Sequence, residues 1–185
     1  MAKNMLVVVD YQNDFVDGVL GFDTAKNLDG GITRQIRKAL ANGDTVVCTY
    51  DTHDPAYLDT REGKHLPVPH CIYGTEGWEL YGETRSVVEE NKDKVIVLRK
   101  KDCFGVDPRQ MLDALPDEEP EIITFVGVVT NMCVISNVCT FQARYPNAQI
   151  RVFTDLVDSF DPARHIEAIK VMKSMQVEAV TSDAA

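Results

Sequence analysis

Short apolar runs alternating with helical periodicity constrain this chain more than any other feature. Residues 5–9 read M-L-V-V-V without a polar interruption. Residues 45–50, 95–98, 121–126 and 150–153 are further runs, mostly apolar, and residues 177–180 offer a sixth. A strand with one face in water alternates apolar and polar residues, whereas an unbroken run is covered on both faces. Between the runs, helices are expected at residues 23–42, 83–90, 107–115, 131–144 and 161–175. In the first, Ile32, Ile36, Ala39 and Leu40 recur at helical spacing and Gly43 follows as a stop. Asp107-Pro108 and Asp161-Pro162 are helix openings, with proline at the first helical position. Strands alternating with helices predict an α/β fold, a mostly parallel sheet with helices on both faces. No linker or repeat interrupts the 185 residues, so a single domain, 1–185, is expected.

In an open sheet of this kind the site lies outside the carboxyl ends of the strands. Asp10 ends the first run and Asp51 follows the second. Lys101 follows the third, just after Lys100, and Cys133 stands beyond the fourth. Gly127 breaks the fourth run, and Thr130 and Asn131 are good N-cap residues for the helix that follows. Cys133 therefore falls in a first helical turn, where free N–H groups and the helix dipole favour a thiolate over a thiol. As a small apolar residue packed beneath the helix it would need no chemistry at all. The other cysteines, 48, 71, 103 and 139, are widely spaced with no C-x-x-C pair, which suits a reducing cytoplasm rather than a disulfide framework. Cys103, near the lysines, is a rival thiol without a helix to activate it.

Residues 52–82 form a long segment of low regularity, and such segments are commonly functional. Asp51 and His53 lie at i and i+2 of an extended stretch and project from one face. His70 stands in P-V-P-H, where the prolines stiffen the backbone. Two imidazoles with one or two carboxylates suit a divalent transition metal: zinc first, manganese or iron as alternatives. A polar loop with unrelated histidines is the competing reading. His65 lies nearby in a different context, and His165 belongs to a late helix. Phe15, Phe104 and Trp78 are candidate walls for a flat ring. The net charge of −10 disfavours a nucleic-acid partner, which needs a basic face. No run of about 18 apolar residues suggests a membrane span. The expected partner is a small molecule, and a homo-oligomer is compatible with the sequence.

Three segments carry a resemblance: D-Y-Q-N-D-F from Asp10 to Phe15, the Lys101-x-x-Phe104-Gly105 segment, and G-V-V-T-N-M-C-V from Gly127 to Val134. In order and spacing they resemble the isochorismatase-like cysteine hydrolases over nearly the whole chain. The resemblance implies a six-stranded parallel sheet between helices. It also implies an Asp10, Lys101, Cys133 triad, and a cis peptide between Val128 and Val129 that aims the Val129 and Cys133 amides at an oxyanion. Lys101 is preferred to Lys100 because the family pattern has an aromatic three residues after its lysine, usually tyrosine. The Asp-x-His, a Glu, and a His before G-T-x-G resemble the nicotinamidase branch. That implies a metal on Asp51, His53, His70 and Glu62, and amide hydrolysis of nicotinamide in NAD salvage. Two alternatives stay open. One is a metal-free hydrolase of another small amide or a vinyl ether; the other is a non-catalytic binding member.

Overall fold

A computed structural model describes residues 4–184. Six strands form one sheet: β1 (Met5–Val9), β2 (Thr45–Asp51), β3 (Val95–Lys100), β4 (Ile122–Val128), β5 (Gln149–Asp158) and β6 (Glu178–Val180). Their order is β3-β2-β1-β4-β5-β6, and every pairing is parallel. Seven α-helices accompany them: α1 (Asn13–Val16), α2 (Asp29–Asn42), α3 (Arg61–His65), α4 (Gly82–Glu90), α5 (Pro108–Ala114), α6 (Ile135–Arg144) and α7 (Pro162–Ser174). The expected six-stranded α/β fold is therefore present.

The unbroken apolar runs divide by the period-two rule of a strand. Leu6 and Val8 of β1 join Ile32 and Ile36 of α2 and Val87 and Val88 of α4 on one face. Met5, Val7 and Val9 join Met111 of α5, Val138 and Phe141 of α6 and Met172 of α7 on the other. Burying each large aliphatic side chain contributes roughly 1.5–3 kcal/mol, so both faces must be covered for the fold to hold. The chain reverses direction across the sheet between β1 and β4, and the crevice opens there at the carboxyl ends.

Several helix signals act as expected. Gly43 closes α2 in the left-handed region, φ 74°, with its N–H on the carbonyls of Ala39 and Leu40. Asp107 accepts from Arg109 N–H, and Asp161 from Ala163 and Arg164 N–H, each just before an N-terminal proline. Other boundaries moved. The helix expected at 23–42 begins as a separate turn, Ala25–Leu28, before α2 proper. The long 52–82 segment contains α3 and two short helical turns, Tyr57–Asp59 and Glu76–Trp78. Gly127 does not end β4; it lies inside it at φ 110°. A side chain there would overlap the Val9 carbonyl oxygen, so the glycine lets β4 press against the end of β1.

Candidate active site and metal-ligating cluster

β1 ends at Val9, and Asp10 turns out of the strand with φ 44°. Its carboxylate is fully buried. Thr49 of β2 orients it, the hydroxyl donating to Asp10 Oδ1 at 2.6 Å, while Asp10 N–H donates to the Thr49 carbonyl at 3.1 Å. Cys133 arrives from β4 through a wide turn, Thr130–Val134, that precedes α6. The peptide Val128–Val129 is cis, as the resemblance implied.

The lysine that meets them is Lys100, which corrects the choice of Lys101. Lys100 Nζ lies 2.7 Å from Asp10 Oδ2, 3.7 Å from Asp51 Oδ1 and 3.4 Å from Cys133 Sγ. It also donates to the Cys103 carbonyl at 3.4 Å. Lys101 Nζ instead points outward to Asp54 at 3.3 Å, its side chain 66% exposed. The reason is strand register. β3 runs two residues past its apolar segment, and Lys100 pairs with Asp51 of β2. Leu98 and Lys100 therefore share the inward face while Arg99 faces out. Phe104 consequently stands four residues after the buried lysine rather than three.

Electrostatics differ from the helix-terminus expectation in one respect. Burial pushes the Cys133 thiol well above its ordinary range; the Lys100 ammonium opposes this, while Asp10 and Asp51 reinforce it. The thiol is therefore not a standing thiolate and needs a base. Burial likewise raises Asp10, against the pull of Lys100. Burial alone would discharge Lys100, but the Asp10 and Asp51 carboxylates outweigh it and hold the ammonium.

The second cluster lies across the same ammonium. Asp51, His53, Glu62 and His70 each offer one ligand atom, all within 4.8 Å of one another. The long segment brings them together: His53 bridges Ile72, and α3 carries Glu62. His70 Nδ1 lies 2.7 Å from the Val68 carbonyl, which can only accept, so that nitrogen carries the proton. His70 Nε2 then faces Asp51 Oδ2 at 3.4 Å with its lone pair. His53 Nε2 is 3.3 Å from the same oxygen. Burial would raise the Asp51 carboxyl, but the Lys100 ammonium holds it far below the usual range. Burial and the Asp51 charge push Glu62 up. Asp51 Oδ1 is buried without a hydrogen-bond partner. Two imidazole lone pairs, two carboxylates and an orphaned buried oxygen fit a divalent cation. His65 is exposed and bonded to its own helix at the Arg61 carbonyl, outside the cluster. His165 meets Thr130 Oγ1 at 2.9 Å.

A cavity of about 350 Å³ joins the two clusters. Phe15, Phe104, Val129, Cys133, Glu62, Asp51 and His70 all line it, and Leu20, Leu66, Met132 and Phe160 add apolar surface. Trp78 does not, which corrects its expected place as a pocket wall. Its ring lies 4.9 Å from that of Tyr50 under the Arg99 guanidinium, and its Nε1 donates to Thr52.

Sequence reasoning missed the residues that hold the others. Gln12 is fully buried. Its Nε2 donates to the carbonyls of Asp51 and Trp78 at 2.9 and 2.8 Å, and its Oε1 accepts from Asp51 N–H at 2.8 Å. Asp14 accepts from Cys71 N–H at 2.7 Å, next to His70. Asn137 ties the Cys133 and Phe104 carbonyls to Val106 N–H. In D-Y-Q-N-D-F the every-second-residue spacing of Asp10, Gln12 and Asp14 was the available signal.

Together these groups can present a thiol to an acyl carbon, accept its proton and balance the charge that develops. The chain belongs to the isochorismatase domain family, whose model matches residues 4–184. Among its relatives, the nicotinamidase/pyrazinamidase of Mycobacterium tuberculosis is 28% identical over 185 residues, covering 96% of this chain and 98% of that protein. The crystal structure of the nicotinamidase/pyrazinamidase of Bacillus subtilis superposes with a TM-score of 0.84 at 28% identity, covering 96% of this chain and 99% of that one. The pyrazinamidase of Pyrococcus horikoshii, solved in complex with zinc, shares the fold with a TM-score of 0.79 at 20% identity, over 97% and 99% of the two chains.

Proposed function

We propose that this chain is a metal-dependent cysteine amidohydrolase that converts nicotinamide to nicotinate and ammonia. The observation that carries the reading is the position of Lys100, which touches both Cys133 and Asp51. One ammonium thus adjoins the nucleophile and the metal-ligating cluster, and a single aromatic amide can reach both. The relatives named above supply the substrate.

In this reading Asp51, His53 and His70 hold the cation, with Glu62 as a direct or water-bridged fourth group. When bound, the metal is a Lewis acid for the ring nitrogen of the pyridine; zinc suits this donor set first. Phe15 and Phe104 flank the ring, and the apolar cavity excludes water from it. Cys133 Sγ attacks the amide carbon as Asp10 takes the thiol proton. The Val129 and Cys133 N–H groups face the oxyanion. Asp10 then returns the proton to nitrogen, the C–N bond breaks and ammonia leaves a thioester. Asp10 takes a proton from water as the water oxygen attacks the acyl carbon; the S–C bond breaks, Asp10 returns that proton to the Cys133 sulfur, and the acid leaves as nicotinate, its own proton passing to ammonia or solvent. Lys100 stays charged throughout, holding Asp10 and the sulfur in one field. Such a product belongs to NAD salvage in the cytoplasm.

Ammonia release from nicotinamide, with and without a chelator, tests the reading. Turnover that falls with chelation and returns on adding a divalent metal is expected. Full turnover by demonstrably metal-free protein would favour the metal-free hydrolase. No ammonia under either condition would favour a binding member.

A further inference from the structure

Asp102 has no part in the reaction described, yet its placement is specific. It follows Lys100 by two residues and adopts φ 54°, a left-handed conformation that aspartate, asparagine and glycine tolerate best. That turn carries its carboxylate back under the long segment, where Oδ1 sits 3.1 Å from His53 Nδ1. The His53 side chain is fully buried, while that of Asp102 is 32% exposed. Each ring nitrogen of His53 therefore faces one carboxylate: Nε2 toward Asp51 in the ligand cluster, Nδ1 toward Asp102 outside it.

We propose that Asp102 is a positioning residue for the metal: it accepts the Nδ1 proton of His53, fixes that tautomer and presents Nε2 to the cation. The inference rests on the reading of Asp51, His53, Glu62 and His70 as metal ligands. A free imidazole divides its proton between two nitrogens; a carboxylate at Nδ1 removes that choice and makes Nε2 a stronger donor. His70 obtains the same service from the Val68 carbonyl, so the two imidazoles are held by different devices. The stretch after β3 also ties the metal to the rest of the site. Its Cys103 carbonyl meets Lys100 Nζ, its Phe104 lines the cavity, and Asn137 anchors its far end. Asp102 thus joins the strap bearing the catalytic lysine to a metal-ligating histidine. The one-residue displacement of Phe104 from the family spacing falls in this strap.

The test compares Asp102→Asn and Asp102→Gly with the wild type. Both replacements tolerate the left-handed backbone; asparagine keeps a neutral acceptor and glycine has none. Dissociation constants for Co²⁺ and Zn²⁺ are measured by chelator competition, without substrate. Asp102→Gly should bind the metal about 10–100-fold more weakly, with Asp102→Asn between it and the wild type. Nitrogen NMR of the zinc-loaded proteins should show the His53 Nδ1–H signal of the wild type displaced in Asp102→Gly, where its carboxylate acceptor is gone. Metal affinity within threefold of wild type in Asp102→Gly, or an unchanged His53 Nδ1–H signal in the zinc-loaded protein, would overturn the proposal. A wild type that binds neither ion would overturn the metal reading beneath it instead.

Discussion

Replacing Lys100 should disable the protein in two separable ways, whereas replacing Lys101 should do neither. The Lys100 ammonium is fully buried between Asp10 at 2.7 Å and Asp51 at 3.7 Å. With an effective dielectric near 20, those separations correspond to attractions of about 6 and about 4 kcal/mol. Desolvation of the ammonium offsets much of that, so the net contribution of the pairs is far smaller. Removing one member of a buried pair nevertheless leaves uncompensated charge and costs about 3–5 kcal/mol. Lys100→Met keeps most of the stem and should show this loss in urea unfolding. Asp10 can relieve part of it by taking up a proton, which places the expected value at the low end. The rate should fall by at least about 10²-fold, the loss typical of one preorganised charge partner. Lys101→Ala removes only an exposed pair with Asp54, worth about 0–1 kcal/mol. Its turnover should stay within twofold of wild type, about 0.4 kcal/mol in barrier. Ammonia release and urea midpoints on the two variants provide the comparison. An inactive Lys101→Ala beside an active, stable Lys100→Met would refute the argument.

Other consequences can be checked independently. His53→Ala and His70→Ala should lose the metal by elemental analysis, while His65→Ala, bonded only to its own helix, should retain it. Gln12→Leu strands Asp51 N–H and two carbonyls. Each buried orphan costs about 1–3 kcal/mol, so urea unfolding should show a loss of several kcal/mol; a change below about 1 kcal/mol would contradict that role. Phe15→Ala should raise the KM for nicotinamide several-fold, because Phe15 lines the cavity. Trp78→Phe should leave KM unchanged, because the indole packs on Tyr50 outside it.

The sheet was legible because a doubly covered strand leaves an unbroken apolar run, and β1 is such a run from end to end. Asp10, Asp51 and Cys133 were legible because parallel topology collects strand ends at one edge. Lys100 was not, because β3 continues through the polar pair Arg99-Lys100, and only register against β2 reveals which lysine turns inward. Trp78 is near His70 in sequence but faces away from the cavity, a distinction set by packing on Tyr50 and Arg99. The thiolate expectation weighed the helix terminus and could not weigh burial, which dominates at Cys133. Asn137 reaches Phe104 across 33 residues and Asp102 reaches His53 across 49, and separations that long leave no local pattern. Glu62 reached the cluster as the resemblance implied, carried there by α3 rather than by an irregular loop.

The central claim is that Cys133 carries the acyl group, with Asp10 and Lys100 beside it. The most direct measurement is acid quenching of the enzyme during nicotinamide turnover, followed by peptide mass mapping. A nicotinoyl thioester on the peptide containing Cys133, absent in Cys133→Ala, is the predicted result. A nicotinoyl group on Cys103, or turnover by Cys133→Ala, would contradict the account.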